Sequence, residues 1–284
     1  MSKIFISIWN ANSIEHKEEI GLSFDARLEY AKEHHYNLEF TNFISPDFLD
    51  VNGQEILKDY QQKLYGFKGV ISIHGACGHP VIDVIHGEDE KVREAAKQMI
   101  FQSLEIAREL KAERIVFHGN FNPLIRGERY KPNWIERDII FWSEVLEKYP
   151  STVVLENTFE LTPEIFRTVL DAVNSSRLKV CLDMGHINVW SKAPLEEWIA
   201  VLGKDMHSMH IHDNKGDEDS HLVPGKGIIN WQELSDLIAK YQIGPNMVLE
   251  VGTQENWIEA TIQSLKYFRE GNIYPFNTVA DHSI

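Results

Sequence analysis

His207-Ser-Met-His-Ile-His-Asp-Asn-Lys-Gly-Asp-Glu-Asp-Ser-His-Leu-Val-Pro-Gly-Lys-Gly-Ile-Ile-Asn-Trp231 is the stretch on which the reading of this chain turns. Its first half alternates. Met209 and Ile211 fall on one side of an extended segment and His210 and His212 on the other, the two-residue period of a strand. The segment then enters a polar loop carrying Asp213, Asp217, Asp219 and His221. Gly225 and Gly227 close that loop, and Trp231 opens an amphipathic run. Strand, polar exit and helix make one unit. Imidazoles and carboxylates massed at such an exit read as a metal site, and a barrel of strands and helices gathers its chemistry at that end.

The same unit recurs along the chain. Strands are predicted at Lys3–Trp9, Asn37–Phe43, Gly69–His74, Arg114–His118, Thr152–Glu156, Leu178–Asp183, Met206–His212 and Asn246–Glu250. Helical spacing predicts helices over Glu18–His35, Gly53–Tyr65, Glu88–Leu110, Pro132–Lys148, Pro194–Gly203, Trp231–Tyr241 and Glu255–Phe268, and one more capped by Thr162-Pro163-Glu164. Strands alternating with helices imply a parallel sheet. Eight such units in 284 residues match an α/β fold of the closed (β/α)8 TIM-barrel type, with residues 1–284 as a single domain. An open doubly wound sheet fits less well, because no Gly-rich dinucleotide fingerprint follows the first strand.

Composition narrows the function classes. An apolar fraction of 43% supplies a sizeable core. No apolar run approaches the roughly 20 residues of a membrane span, and the N-terminus lacks a basic segment followed by a greasy one. The chain therefore reads as soluble and cytoplasmic, with no membrane partner. Two cysteines, Cys77 and Cys181, are too few for a disulfide framework. Cys181 reads as a small core residue. Cys77, just past a strand end, has scope for reactivity. A net charge of −15 disfavours indiscriminate attraction to nucleic acid.

The strand ends carry the chemistry. The third ends in His74, the fourth in His118, the fifth in Glu156 and the sixth in Asp183-Met-Gly-His186; the seventh carries His210, with Asp219 and His221 in its loop, and the eighth ends in Glu250. Any one of these alone has a bland reading as a hydrogen-bonded structural residue. His34, His35, His79, His86 and His207 keep that reading, and His212 reads as a residue that orients a ligand from behind. Recurrence at six successive strand ends is different, because carboxylates buried together without cations are strongly unfavourable. Nitrogen and oxygen donors without thiolate suit Zn, Mn or Fe better than Mg.

With these residues the chain resembles the xylose-isomerase-like barrel superfamily, which includes sugar phosphate isomerases and epimerases and the endonuclease IV type of abasic-site nuclease (AP endonuclease family 2). The similarity covers nearly the whole sequence and is strongest from His118 onward. The isomerase and epimerase branch implies one divalent ion on Glu156, Asp183, His210 and Glu250, with His186 near the substrate. The nuclease branch implies three ions on His74, His118, Glu156, Asp183, His186, His210, Asp219, His221 and Glu250. The Asp219-Ser-His221 and Gly225-Lys-Gly227 pattern is the most specific part of the match but is shared by both branches.

Two chemistries follow from the resemblance. In the first, a divalent metal, Zn or Mn, polarises a carbonyl and its neighbouring hydroxyl, and a sugar or sugar phosphate isomerises or epimerises through an enediolate. Glu156 and Glu250 act as acid and base, with His186 as a third catalytic group. Trp9, Trp190 and Phe43 offer faces for a sugar ring, with capping of the barrel core as the bland alternative. Arg126, in the basic loop from Arg126 to Lys131, and Lys215 are candidate substrate contacts. In the second, several zinc ions hydrolyse a phosphodiester at an abasic site or a similar ester. A nuclease needs a wedge and cationic loops. The loop Gly75-Ala-Cys-Gly-His-Pro80 is small-residue, and Ile44 to Val51 has no Lys or Arg. The expected partner is therefore a small carbohydrate, with nucleic acid disfavoured and homo-oligomerisation open. A non-catalytic metal-binding protein is the remaining alternative.

Overall fold

The computed structural model describes residues 2–8, 24–41, 57–77, 85–86, 89–252 and 256–274. Eight strands close into a parallel barrel in chain order. They are β1 Ile4–Ile8, β2 Asn37–Phe40, β3 Ile71–His74, β4 Arg114–His118, β5 Thr152–Glu156, β6 Leu178–Asp183, β7 Met206–Ile211 and β8 Asn246–Leu249. β8 pairs with β1 through Ile4↔Met247, Phe5↔Val248 and Ile6↔Leu249, which leaves no sheet edge. Helices follow at Phe24–Glu33, Glu90–Glu109, Lys131–Lys148, Glu164–Val173, Leu195–Leu202, Trp231–Tyr241 and Trp257–Glu270, and residues 57–63 are helical as well. No helix among the described residues is long and apolar enough to cross a membrane.

The predicted strands and helices are therefore present within the described residues, with ends shifted by a few residues, while residues 18–23 and 53–56 of the first two predicted helices lie outside the described residues. The ends of the first two predicted strands, Trp9 and Phe43, lie outside the described residues, as does His79. Two short helices go beyond the sequence reading. Pro123–Arg126 has Asn122 as its cap, accepting from Leu124 N at 3.0 Å and Ile125 N at 3.3 Å. It and the 3-10 turn Glu128–Tyr130 occupy most of what reads in sequence as a plain basic loop. Met184–Trp190 starts at once from Asp183, whose carboxylate caps it. The predicted Thr162-Pro163-Glu164 cap is not formed as such: Pro163 stands at the cap position with no side-chain bond to the helix.

Alternation along the strands divides the core. Outward residues such as Ile115, Phe117, Val153 and Leu155 meet the helices in one large apolar cluster. Inward residues stack in layers inside the barrel. Val116, Val154 and Cys181 form a separate fully buried apolar layer. One step further along the same faces come His118, Glu156 and Asp183, two residues on from each. Register pairs His118 with Glu156 and Asp183 with His210, while Glu156 stands opposite Cys181, so Asp183 lies two residues further along β6. The apolar layer is thus a floor on which the polar layer sits at the C-terminal mouth.

Candidate metal centre

Glu156 is the hub of the mouth. It is 1% exposed, and three imidazoles approach it: His74 Nε2 at 3.2 Å, His210 Nδ1 at 3.2 Å and His186 Nδ1 at 3.3 Å, with His118 Nε2 at 3.7 Å. Asp183 and Glu250 close the far side, with Oδ2 and Oε2 at 3.7 and 3.4 Å from His210 Nδ1. His186 Nε2 and His221 Nε2 both lie 3.2 Å from Asp219 Oδ2. All nine residues singled out at the strand ends thus meet in one place. A cavity of about 150 Å³ is lined by Thr41, His74, Cys77, His118, Glu156, His186, Asp219, His221 and Glu250.

The orientation of the imidazoles is specific. His186 Nδ1–H donates to the Asn157 carbonyl at 2.7 Å, His221 Nδ1–H to the Glu250 carbonyl at 2.7 Å, and His74 Nδ1–H to the Gly75 carbonyl at 3.1 Å. His210 is tied the other way round, Nε2–H donating to Glu39 Oε1 at 2.8 Å. Each ring has one nitrogen fixed by an acceptor behind it, leaving the other to offer a lone pair to the mouth. There the lone pairs face carboxylate oxygens, which are acceptors too. His210 Nδ1 is fully buried with no hydrogen-bond partner, although three carboxylates surround it. Acceptors facing acceptors need a cation between them, either a proton on each imidazole or a metal ion. The donor set of imidazole nitrogen and carboxylate oxygen fits a divalent transition ion.

The proton-only version makes buried ion pairs of the imidazoles and carboxylates, and the charges reflect it. Burial works against charge on His186, yet Asp183 and Asp219 outweigh it and push the ring up to about 10. His221 goes up to about 9 against burial, through Asp219 and Glu250. Burial alone would raise the Glu156 carboxyl, but His210 and His118 hold it well below its usual range. A metal ion bound among these groups would replace the buried protons and so release them.

The support beneath the site is invisible from the strand ends. Glu39, 0% exposed at mid-β2, accepts from His210 Nε2, from Ser72 Oγ at 2.5 Å and from Arg114 at 3.2 Å. Burial would raise its carboxyl; His210 and Arg114 bring it down to about 2. A signal does exist, since Leu38 and Phe40 face outward and only an inward residue sits between them. His212 Nε2 lies 3.0 Å from Asp183 Oδ2, its ring stacks on His221 at 3.9 Å, and it also falls with His221 and Glu250 in a set whose donor atoms lie within 4.8 Å of one another. Gly185 makes room for it: a Cβ there would sit 1.9 Å from His212 Cε1.

The loop after β7 is built around Asp213. Its carboxylate accepts from Asn214 N, Gly225 N, Ile229 N and the Trp231 indole at 2.8–3.2 Å, and its backbone pairs with Leu222. Gly225 has a φ of +88°, and a Cβ on Gly227 would meet Asp213 Oδ1 at 2.1 Å. The Gly-Lys-Gly pattern therefore holds the loop that presents Asp219 and His221.

Beside the expected nitrogen and oxygen donors stands a thiol, Cys77. Its sulfur lies with the ring nitrogens of His74 and His118 inside 4.8 Å. Burial would raise the thiol, but the two imidazoles bring it down to about 6. Cys181 is the core residue expected, 0% exposed in the barrel floor, with burial pushing its thiol up to about 11. His86 is structural, buried against Asp138 at 2.9 Å.

Of the substrate candidates, Trp190 is half-buried with its ring 5.1 Å from that of His186. Lys215 is exposed in a turn closed by Gly216 N on Asn214 Oδ1 at 3.0 Å and does not line the cavity. Arg126 ends the short helix after β4, and its side chain lies outside the described residues, as does all of Trp9.

Residues 38–271 match the family described as xylose isomerase-like TIM barrel. The chain is 27% identical over 192 residues to uncharacterized protein MJ1311 of Methanocaldococcus jannaschii, a match spanning 64% of each sequence. The chain thus spans a little under two thirds of that relative's length. Among solved structures, a D-tagatose 3-epimerase-like protein superposes with a TM-score of 0.73 at 21% identity, covering 98% of this chain and 100% of that one. TTHB071 protein from Thermus thermophilus, soaked with ZnCl2, gives a TM-score of 0.67 at 22% identity over 94% of this chain and 97% of that one.

Proposed function

The chain belongs to the xylose isomerase-like TIM barrel family, and from that membership and the donor geometry we propose that it is a divalent-metal-dependent isomerase or epimerase of a small sugar or sugar phosphate. The observation that carries the reading is the pair of carboxylates on one point. Glu156 Oε2 and Glu250 Oε2 stand 3.2 and 3.4 Å from the same unpartnered nitrogen, His210 Nδ1, one from the end of β5 and the other from just past β8. An ion held by Glu156, Asp183, His210 and Glu250 supplies Lewis acidity to a carbonyl and its neighbouring hydroxyl.

The chain's own groups do the rest. Glu156 and Glu250 reach the centre from different walls, so one removes a proton from the carbon beside the carbonyl and the other returns it. His186, pinned through Nδ1 on Asn157, presents Nε2 toward Asp219 and the open cavity, where it holds a substrate hydroxyl. Trp190 beside it offers an apolar face to a ring or chain of carbons. The cavity of about 150 Å³ has room for roughly five waters at about 30 Å³ each, which suits one small polyol end. Likeness to a D-tagatose 3-epimerase-like protein supports a ketose as the first substrate class to try. Zinc or manganese, one to three ions, is the cofactor we propose.

Hydrolysis of a phosphoester, including an abasic site, is the second reading. It is favoured by donors beyond what one ion needs: His74 and His118 on one side, His186, Asp219 and His221 on the other. One experiment separates the two. The metal-loaded protein is incubated with ketohexoses and pentuloses in D2O, and with a duplex containing an abasic site. Deuterium should enter the carbon next to the carbonyl, and Glu156→Gln and Glu250→Gln should slow that entry about 10²–10⁴-fold. Duplex nicking that disappears in Glu156→Gln, with no deuterium uptake, would reverse the order.

A further inference from the structure

Resting on the metal-centre reading above, we propose that Cys77, His74 and His118 form a second cation site, whose thiolate makes it softer than the oxygen-rich site beside His210. The centre would then hold two ions with different preferences, and sulfur ligation would set which metals the protein keeps.

The geometry comes first. The ligand atoms of the three residues lie within 4.8 Å of one another, and all three side chains line the same cavity. Tetrahedral zinc, with nitrogen near 2.0 Å and sulfur near 2.3 Å, places such atoms about 3.3–3.5 Å apart, so closure by at most about 1.5 Å completes the triad. The two rings already stand edge to face with centroids 4.9 Å apart. His74 is tied through Nδ1 to the Gly75 carbonyl, which directs its other nitrogen inward.

Cys77 is held in place by its own loop. A Cβ on Gly75 would come within 2.2 Å of the Phe117 ring, so the backbone there packs flat on β4. Gly75 N donates to the Val116 carbonyl at 2.8 Å, and Ala76 N to Ser103 Oγ at 3.1 Å. These ties bring the chain back over His74 and leave Cys77 only 8% exposed. This is a built position for the sulfur.

Glu156 links the two sites. Its Oε2 lies 3.2 Å from His74 Nε2, 3.7 Å from His118 Nε2 and 3.2 Å from His210 Nδ1, so one oxygen borders both donor sets. Charge argues for more than one ion. Glu156, Asp183, Asp219 and Glu250 are gathered around the mouth, while the Arg114 guanidinium below pairs with Glu39. Thiolate favours zinc and cobalt over manganese, whereas the carboxylate-rich site accepts either. On ligation Cys77 gives up its thiol proton to solvent as the sulfur–metal bond forms.

The test uses the full chain, stripped with chelator and titrated with Co2+, then with Zn2+ and Mn2+. We expect a thiolate-to-cobalt charge-transfer band in the near ultraviolet, two or more Zn2+ per chain by elemental analysis, and one fewer with Mn2+. Cys77→Ser and Cys77→Ala should lose the band and one zinc, whereas Cys181→Ala should keep both. Visible cobalt bands in the wild type without any thiolate band would overturn the proposal while leaving the His210 site intact. A band lost in Cys181→Ala but kept in Cys77→Ser would also overturn it. Failure of the wild type to bind cobalt at all would instead sink the metal-centre reading on which it rests.

Discussion

Replacing Glu39 by Gln swaps one oxygen for an amide nitrogen and removes one charge, yet it should be felt in both stability and metal binding. Glu39 and Arg114 are each 0% exposed and 3.2 Å apart. The other carboxylate near Arg114 is Glu113, at 3.6 Å and 35% exposed. A neutral amide in place of the Glu39 carboxylate would leave the guanidinium in the barrel interior with no buried counter-charge, a loss of about 3–5 kcal/mol. A domain typically has about 5–15 kcal/mol in all, so the variant should fold with a lowered denaturant midpoint. The same carboxylate receives His210 Nε2–H at 2.8 Å and so aims Nδ1 at the metal position. Weakening such an outer partner costs about 10–100-fold in metal affinity. Chelator competition on Glu39→Gln reads the second effect and urea unfolding of the metal-free form reads the first. Adding Arg114→Met removes the stranded charge, so stability should recover while affinity stays low. Unchanged midpoint and affinity in Glu39→Gln would refute the assigned role of the Glu39 layer.

Three further outcomes are expected. Metal removal should destabilise the protein: at free ion 100-fold above Kd, binding contributes about 2.7 kcal/mol, so calorimetry with excess chelator should show Tm lower by about 5–10 °C. A Tm indifferent to chelator would count against a site of that affinity. In the metal-free protein, His186 and His221 are pushed up to about 10 and about 9, from an ordinary value of 6.5. Groups raised on folding stabilise fully below the unfolded value, so urea midpoints should fall from about pH 7 through pH 10, and His186→Gln with His221→Asn should flatten that fall. Gly185→Ala should cost about 1–3 kcal/mol or more by overpacking against His212, whose Cε1 lies 1.9 Å from the new Cβ. Its metal affinity should drop with the loss of the His212–Asp183 contact, and a wild-type midpoint would show that the loop yields freely.

The barrel is legible in sequence because most of its strands carry their own punctuation. An apolar run ending in His74, His118, Glu156, Asp183 or His210 announces both a buried strand and a polar mouth, and eight repeats leave little room for another topology. The donors are legible for the same reason: they sit at the ends of runs, where alternation breaks. What lies deeper is hidden. Glu39 and Arg114 are single polar residues within or at the start of short strands, and only closure of β1 to β4 side by side makes them partners. Cys77 reads in sequence as a reactive residue just past a strand end but not as a donor, because sequence alone does not say that Gly75 packs flat against Phe117 and that the sulfur comes beside His74 and His118. Helix starts are equally obscure where Asp183 and Asn122 cap turns inside stretches that resemble loops.

The strongest argument for a metal is the arrangement of protons rather than the number of donors. A cluster evolved as a hydrogen-bonded lattice would alternate donors and acceptors. Here His74, His186, His210 and His221 each give their one neutral-form N–H to an acceptor outside the mouth, and turn a bare nitrogen toward carboxylates. Protonating all four rings would also satisfy the contacts, since neighbouring acidic groups raise each imidazole despite the burial that opposes charge on every one of them. One or two divalent ions answer the same oxygens and nitrogens at once, and leave Glu156 and Glu250 as bases facing the open part of the cavity. Proton release on loading therefore discriminates between the two accounts. Calorimetric titration with zinc in buffers of different ionisation enthalpy should show protons leaving the protein near pH 7, and binding without proton release would mean that the imidazoles were never charged.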